Sequence, residues 1–477
     1  MARRDGTGST LRRVLATRFS VDTRALAVFR VALATLLLVD LARRATDLVA
    51  FYTDRGVFPR ALLPVVEPGY QYVSLHALSG AAWVQWMLFA VAALAAFSLL
   101  VGYRTRLAVV VSLVLLVSIQ ARNPAVLNSG DTLFRRLLFW SLFLPLGERW
   151  AVDATGDDWR PSVVGPATAG LLLQVVAVYA TNAVVKFRAD VWLRGDAVRY
   201  AFELDHFTVL LGDVLAGQST LLTLADWGWV TLLVASPLLV VLTGHWRAAL
   251  ATAFASVHVG MLLTLSLGIF PLVSMTALLP FLPPVVWDRL QRHAPAGLGE
   301  LVASLPDRRS IRRTPQRLRS VGRVFAAVCL VALVAINAIG LGVVSPPAGT
   351  PDAVADRSWD MFAPSPPLGT WWYAAPATLE SGERVDALSR EPVALSRPPD
   401  VATTYPNERW RKFLDDARRE PALQRSLVAH LCWRWNRAHD DTMVEVRLVQ
   451  LHEPTDLDGP ERVEREPFGT YACADVA

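Results

Sequence analysis

Apolar stretches long enough to cross a lipid bilayer recur along this chain, and nothing else narrows its possible folds as much. A membrane helix needs about 20 mostly apolar residues, because each backbone N–H and C=O must be satisfied within the segment. Nine candidate spans can be read: Ala25–Leu41, Ala81–Val101, Leu107–Ala121, Leu133–Leu146, Val164–Val185, Trp229–Leu242, Ala248–Ile269, Leu272–Trp287 and Val324–Val344. The fourth, sixth and eighth are short or broken by proline, which predicts tilted, kinked or partly re-entrant segments. The first ends in Arg43-Arg44 with no small-residue cleavage site, so it reads as an uncleaved helix. With 53% apolar residues among 477, the expected architecture is an all-α polytopic membrane bundle of about nine transmembrane helices. A small α+β extracytoplasmic domain is expected to follow it.

Arginine placement sets the expected orientation. Arg3, Arg4, Arg12, Arg13, Arg18 and Arg24 crowd the N-terminus. Arg289, Arg292, Arg308, Arg309, Arg312, Arg313, Arg317 and Arg319 crowd the loop before the last span. Eight spans separate the two clusters, so both can be cytoplasmic, and the ninth span then carries residues 345–477 outside. The loop at 42–80 opposes the rule with Arg43, Arg44, Arg55 and Arg60. The expected organisation is a basic cytoplasmic N-terminus (1–24), a transmembrane domain (25–344) and an extracytoplasmic domain (345–477) in a multi-pass plasma-membrane protein. Charge divides along the same line: residues 345–477 carry a net −7 and the rest +12. A basic bundle and an acidic outer domain account for the basic total, with no nucleic acid as partner.

In the outer segment, Ser345–Pro351 reads as a stiff linker. Thr370–Leu379 and Arg384–Leu388 read as a hairpin, Asn407–Arg419 and Leu423–Arg437 as amphipathic helices, and Met443–Leu451 as a strand. Trp410, Phe413 and Leu414 share one face of the first helix. Of the three cysteines, Cys329 lies in the ninth span. Cys432 and Cys473 lie outside, where a disulfide between them is chemically allowed, and no metal site is expected.

Nucleophile-elbow, zinc-protease, phosphate-loop, CxxC and dinucleotide motifs are all missing, which argues against ordinary hydrolase, metalloprotease, nucleotidase and dinucleotide-enzyme readings. What stands out is polar chemistry set in apolar segments. Only two lysines occur, Lys186 and Lys412, and Lys186 closes the fifth span. An ionisable group there is a functional candidate, and equally a side chain able to snorkel to the headgroups. Arg135 and Arg136 open a span and can simply anchor it; Asp131 suits the start of that helix; His258 can be a packed core histidine. Together with Asn128 they imply a polar cavity, since lone polar groups facing lipid cost a few kcal/mol each. At least three of Lys186, His258, Asn128 and Arg135 are expected to line one pocket opening outward.

These residues carry a family resemblance. The stretches Phe51–Val57, Gly102-Tyr103-Arg104, Asn128-Ser129-Gly130-Asp131, Trp150–Asp153 and Lys186–Gly195, with His258 and Gly268-Ile269-Phe270, resemble the HTTM (horizontally transferred transmembrane) family. Trp359–Pro364 resembles the opening of the outer domain in its microbial members. The family includes vitamin K-dependent gamma-glutamyl carboxylase, whose catalytic base is the second lysine of a pair. Aligned on Trp192 and Gly195, Lys186 falls on the first lysine and Phe187 on the base. Gly147-Glu148 stands where that enzyme has Asn-His.

Two classes of function follow from the resemblance. In one, a membrane protein of this family holds a lipid or a quinone-like molecule in an internal polar pocket lined by Asn128, Asp131, Arg135, Glu148 and Trp192, without carboxylating glutamate. In the other, a quinol-dependent membrane enzyme uses Lys186 as base after a one-residue slip in register, with His258 as the second catalytic candidate. A vitamin K-like quinone is the cofactor the resemblance implies. Membrane lipids and an extracytoplasmic protein or peptide are the implied partners.

Overall fold

The computed structural model describes residues 4–154, 160–293, 316–345, 362–455 and 462–476. Arg308, Arg309, Arg312 and Arg313, the prolines of the 346–351 linker, and Trp359, Asp360 and Met361 lie outside the described residues, as do the side chains of Arg317 and Arg319.

In chain order the bundle comprises α1 (Arg4–Phe19), α2 (Thr23–Ala45), α3 (Ala82–Val101), α4 (Thr105–Arg122), α5 (Ser129–Ser141), α6 (Pro166–Lys186), α7 (Asp190–Arg194), α8 (Ser219–Ala235), α9 (Gly244–Thr264), α10 (Phe270–Leu278), α11 (Pro284–His293) and α12 (Gln316–Gly340). Six of them are long and apolar enough to cross a membrane: α2, α3, α4, α6, α9 and α12 from Ser320. The chain is thus a multi-pass membrane protein.

Nine full-length spans are not reached among the described residues, and local sequence explains why. The fourth expected span forms α5, which has 13 residues and ends well before Pro145. The sixth belongs to α8, a 17-residue helix from Ser219 that stops ahead of Pro237. The eighth is a broken pair, α10 and α11, bent by 102° around Pro280, Pro283 and Pro284. Proline lacks the donor a helix interior needs, and it disfavours helical geometry in the residue before it.

Caps position the ends. The Asp22 carboxylate accepts from the Arg24 N–H at 2.8 Å and starts α2. At the mouth of α5, Asn128 Oδ1 accepts from the Gly130 and Asp131 N–H groups, and the Asp131 carboxylate accepts from the Asn128 N–H, a reciprocal capping box. Helix α3 ends on Gly102 at φ +72°, where a side chain would strike Ala151 Cβ at 2.4 Å, so glycine is required twice over. At the same end of the bundle, buried Arg30 donates to the carbonyls of Leu146, Arg149 and Trp150 and ties that loop to α2.

The C-terminal unit is α+β: β1 (Gly369–Ala374), β2 (Pro376–Leu379), β3 (Arg384–Asp386), α13 (Glu408–Ala417), α14 (Pro421–Asn436), β4 (Met443–Pro454) and β5 (Glu464–Ala472). All pairings are antiparallel in the order β1-β4-β2-β3, with β5 on the other flank of β4. The expected strand Thr370–Leu379 is divided at Ala375, whose N–H goes to the Asp386 carboxylate at 3.1 Å instead of to the ladder. Pro376 then has no N–H to offer. Cys432 at the end of α14 and Cys473 after β5 form a disulfide, with Cα atoms 5.8 Å apart.

This unit sits on the end of the bundle where α2 finishes. Arg44 bonds Asp40 at 2.7 Å and Asp131 at 2.6 Å, and Arg409 from α13 completes the cluster by bonding Asp40 at 2.6 Å. Two carboxylates and two guanidinium groups thus neutralise one another, all nearly inaccessible to water. Asn407 and Trp410 donate to Asp47 at 2.6 and 2.9 Å, and Ser426 to the Val57 carbonyl at 2.9 Å. Arg43 pairs with Glu408 and Arg60 with Asp54. Three of the four arginines that oppose the charge rule in the 42–80 loop are therefore neutralised by partners.

Candidate functional site

Helix α6 places its polar residues by spacing. Tyr179, Asn182 and Lys186 are three and four residues apart, so they stack on one face, about 10 Å from first to last. That face lines a cavity of about 1560 Å³ bounded by the bundle and by α13 of the C-terminal unit. Leu224 and Trp229 of α8, Met261 of α9 and Ile336 of α12 give it apolar walls.

Lys186 closes α6 and is 1% exposed. Its Nζ lies 3.3 Å from the centre of the Trp192 ring and donates to the Phe362 carbonyl at 3.1 Å. Phe362 belongs to the segment that leads into β1, so the C-terminal unit touches the lysine directly. Trp192 rides on α7, which turns back at Gly195 with φ +80°. A side chain at Gly195 would meet Thr223 at 2.8 Å and Trp227 at 2.9 Å, so the glycine lets α7 close on α8 and hold the indole over the lysine. The indole N–H of Trp192 is buried without a hydrogen-bond partner among the described residues. Phe187, one residue on, is 46% exposed and outside the cavity wall.

Asn128 and Arg135 line the same cavity from α5, and Arg135 also donates to Gln120 at 2.7 Å. His258 does not line it. It is fully buried behind Tyr179, whose hydroxyl meets its Nε2 at 2.9 Å, in an aromatic nest of Trp229, Phe254 and Phe270. Asp131 is drawn away by Arg44 and by its cap, and takes no part in the wall. Glu148 pairs with Arg160 at the opposite end, beside the loop bound by Arg30. The structure therefore gathers Lys186, Trp192, Asn128 and Arg135, places His258 one residue behind, and leaves Asp131 and Glu148 elsewhere.

Several wall residues carry no motif in the sequence. Tyr179 and Asn182 follow from the helical stripe through Lys186. Helix α13 adds Glu408, Arg411, Lys412 and Asp415 at helical spacing, the polar face opposite Trp410, Phe413 and Leu414. Burial lowers the pKa of Arg411 and raises that of Asp415, the latter against Arg411 and the donors Trp371 and Tyr373. Burial acts to raise Glu408 too, but the hydrogen bond and charge of Arg43 outweigh it and hold this carboxyl below its usual range. Among the described residues no cluster of histidine, cysteine and carboxylate side chains could hold a metal ion.

The HTTM domain family model matches residues 19–287, more than half of the chain. The chain belongs to the HTTM family. No curated protein and no solved structure matches it. The relation to the carboxylase is consistent with HTTM membership. The matched part spans α2 to α10 and so contains Lys186, Trp192, Asn128, Arg135 and His258. The wall supplied by α13 lies beyond the HTTM match.

Proposed function

We propose that this HTTM protein holds an amphiphile, a membrane lipid or a quinone-like molecule, in the cavity between its bundle and its C-terminal unit. The observation that carries this reading is the cavity's division: apolar walls along α8, α9 and α12, and a polar end where Lys186 lies buried over Trp192. A concave, mostly apolar site with a few convergent polar groups suits a molecule with a tail and a head. Glutamate carboxylation is not part of this reading, because Phe187 stands at the family's base position and Glu148 lies far from Lys186. The test is mass spectrometry of what leaves the membrane with the purified protein. One amphiphile per chain is expected in the wild type, and Lys186→Met should lose it while elution and helix content hold. Protein that purifies with nothing bound overturns the reading.

The second reading, a quinol-dependent enzyme with Lys186 as base, draws on one observation: of Lys186 and Phe187, the lysine is the one turned into the cavity. In either reading, residues 1–24, 25–344 and 345–477 are the basic cytoplasmic segment, membrane domain and extracytoplasmic domain of a plasma-membrane protein. In this topology α5, α8 and the α10–α11 pair carry the chain across as short or broken passes, giving nine in all. Single cysteines at Arg292 and Glu383, in a Cys329→Ser background, should label from opposite sides of the membrane. Labelling of both from one side ends this topology.

A further inference from the structure

We propose that Arg411 is the receptor for a phosphate-bearing headgroup, so that the molecule held in the cavity is an anionic phospholipid-like amphiphile. This deepens the cavity reading above and rests on it. Four side chains of α13 face the cavity, and three are committed to neighbours. Glu408 pairs with Arg43; Lys412 pairs with Asp416 at 3.0 Å; Asp415 Oδ1 accepts from Trp371 Nε1 at 2.7 Å and Tyr373 Oη at 2.9 Å. Arg411 differs. It is only 9% exposed, and its Nη1 is buried with no hydrogen-bond partner among the described residues.

What Arg411 does touch is the Phe207 ring, with its guanidinium carbon 3.6 Å from the ring centre. Stacking occupies the face of the guanidinium and leaves the in-plane N–H donors directed outward. Desolvating such a group without an acceptor is costly, and a bound anion removes that cost. A phosphate takes two parallel N–H bonds from one guanidinium, a match that neutral hydroxyl or carbonyl groups make less well. Arg135 and Arg136 line the same cavity and add positive charge, while Glu408 is already neutralised and the exposed Glu67 is the other carboxylate besides Asp415. The apolar walls behind these cations accept acyl chains, which free phosphate does not have.

Full-length protein in detergent would be titrated with pyrene-labelled phosphatidylglycerol and with pyrene-labelled diacylglycerol of the same chain length, which lacks the phosphate. The expected result is that phosphatidylglycerol binds at least about tenfold tighter, the scale of one charge-assisted pair. Arg411→Gln should abolish that preference and leave diacylglycerol binding unchanged, and Arg411→Lys, which keeps the charge and guards against misfolding, should restore part of it. Equal binding of the two lipids by the wild type, or an unchanged preference in Arg411→Gln, overturns the role of Arg411 and leaves the amphiphile reading standing. Binding of neither lipid removes the amphiphile reading itself. Arg411-dependent binding of inorganic phosphate that no lipid displaces assigns the site to a free anion and overturns the lipid headgroup.

Discussion

Arg409 and Arg411 lie two residues apart on α13, and both are buried where that helix meets the bundle, yet they meet opposite fates. Arg409 reaches Asp40 and closes a neutral cluster with Arg44 and Asp131. Arg411 rests on Phe207 and faces a cavity. Depth is nearly the same, 4% and 9% exposed, so depth does not separate them. Closure does. A buried charge bonded to a carboxylate of another part of the chain fixes how two parts of a protein fit, whereas one with no such acceptor marks where a partner from outside belongs.

The sharpest way to break this comparison is to remove each arginine in turn. Arg409→Leu leaves Asp40 with a single partner in a buried site, at a cost of about 3–5 kcal/mol. Thermal unfolding in detergent should show a large drop in midpoint, and protease should reach the C-terminal unit at low temperature. Arg411→Leu, measured on protein stripped of bound amphiphile, should cost only about 1 kcal/mol, because Arg411 has no hydrogen-bonded carboxylate and Asp415, which its charge favours, keeps its donors Trp371 and Tyr373. Equal destabilisation by both changes would mean that Arg411 is structural too.

Acid should sharpen the same contrast, since the closed side depends on titrating groups outside the membrane spans. His430 contacts the Arg55 carbonyl at 2.9 Å, and burial lowers its pKa below the ordinary 6.5. Its contribution is therefore complete above pH 6.5 and is lost as pH falls through the lower folded value. Glu408, held below 4.5 in the folded state by Arg43, has the same sign: its contribution is present above 4.5 and lost below. The C-terminal unit should accordingly become more protease-sensitive as pH drops below 6.5, and again below 4.5. A proteolysis rate that does not change from pH 7.5 to 4 would contradict both assignments.

How much of this was readable beforehand differs between the same two regions. The long spans announced themselves, because lipid demands a continuous apolar run and nothing else produces one. The short and broken ones were marked by their prolines. Lys186, His258, Asn128 and Arg135 stood out as polar residues in an apolar setting, and the fold brings Lys186, Asn128 and Arg135 to one cavity with Trp192 and sets His258 behind Tyr179. Asp131 read as a residue suited to the start of its helix and Glu148 came in through the resemblance, but their cationic partners, Arg44 and Arg160, are 87 and 12 residues away, and no local pattern names such pairs. Arg411 was hidden for the opposite reason. It lies among seven charged residues between Glu408 and Arg419, where one more arginine is unremarkable until the helix is seen to turn that face to a cavity.

The smallest effect expected is also the one that tests the family comparison most directly. Aligned on Trp192 and Gly195, Phe187 falls where the resemblance to the carboxylase would put its base, so a lysine there would be expected to restore chemistry. The geometry argues otherwise. Helix α6 turns Lys186 inward, and the next residue is rotated by about 100°, which leaves Phe187 46% exposed and away from the wall. An exposed phenylalanine exchanged for lysine at a helix C-terminus, where a cation is favoured, should alter stability by no more than about 0.5 kcal/mol. Amphiphile binding should be unchanged, because no wall residue is touched. Supplied with reduced vitamin K, CO2 and a glutamate peptide, both wild type and Phe187→Lys should incorporate no carbon-14. Incorporation by the variant alone would mean that the turn after Lys186 rewinds by one residue to bring the new amine inside. Incorporation by the wild type would make Lys186 the base and the cavity an active site.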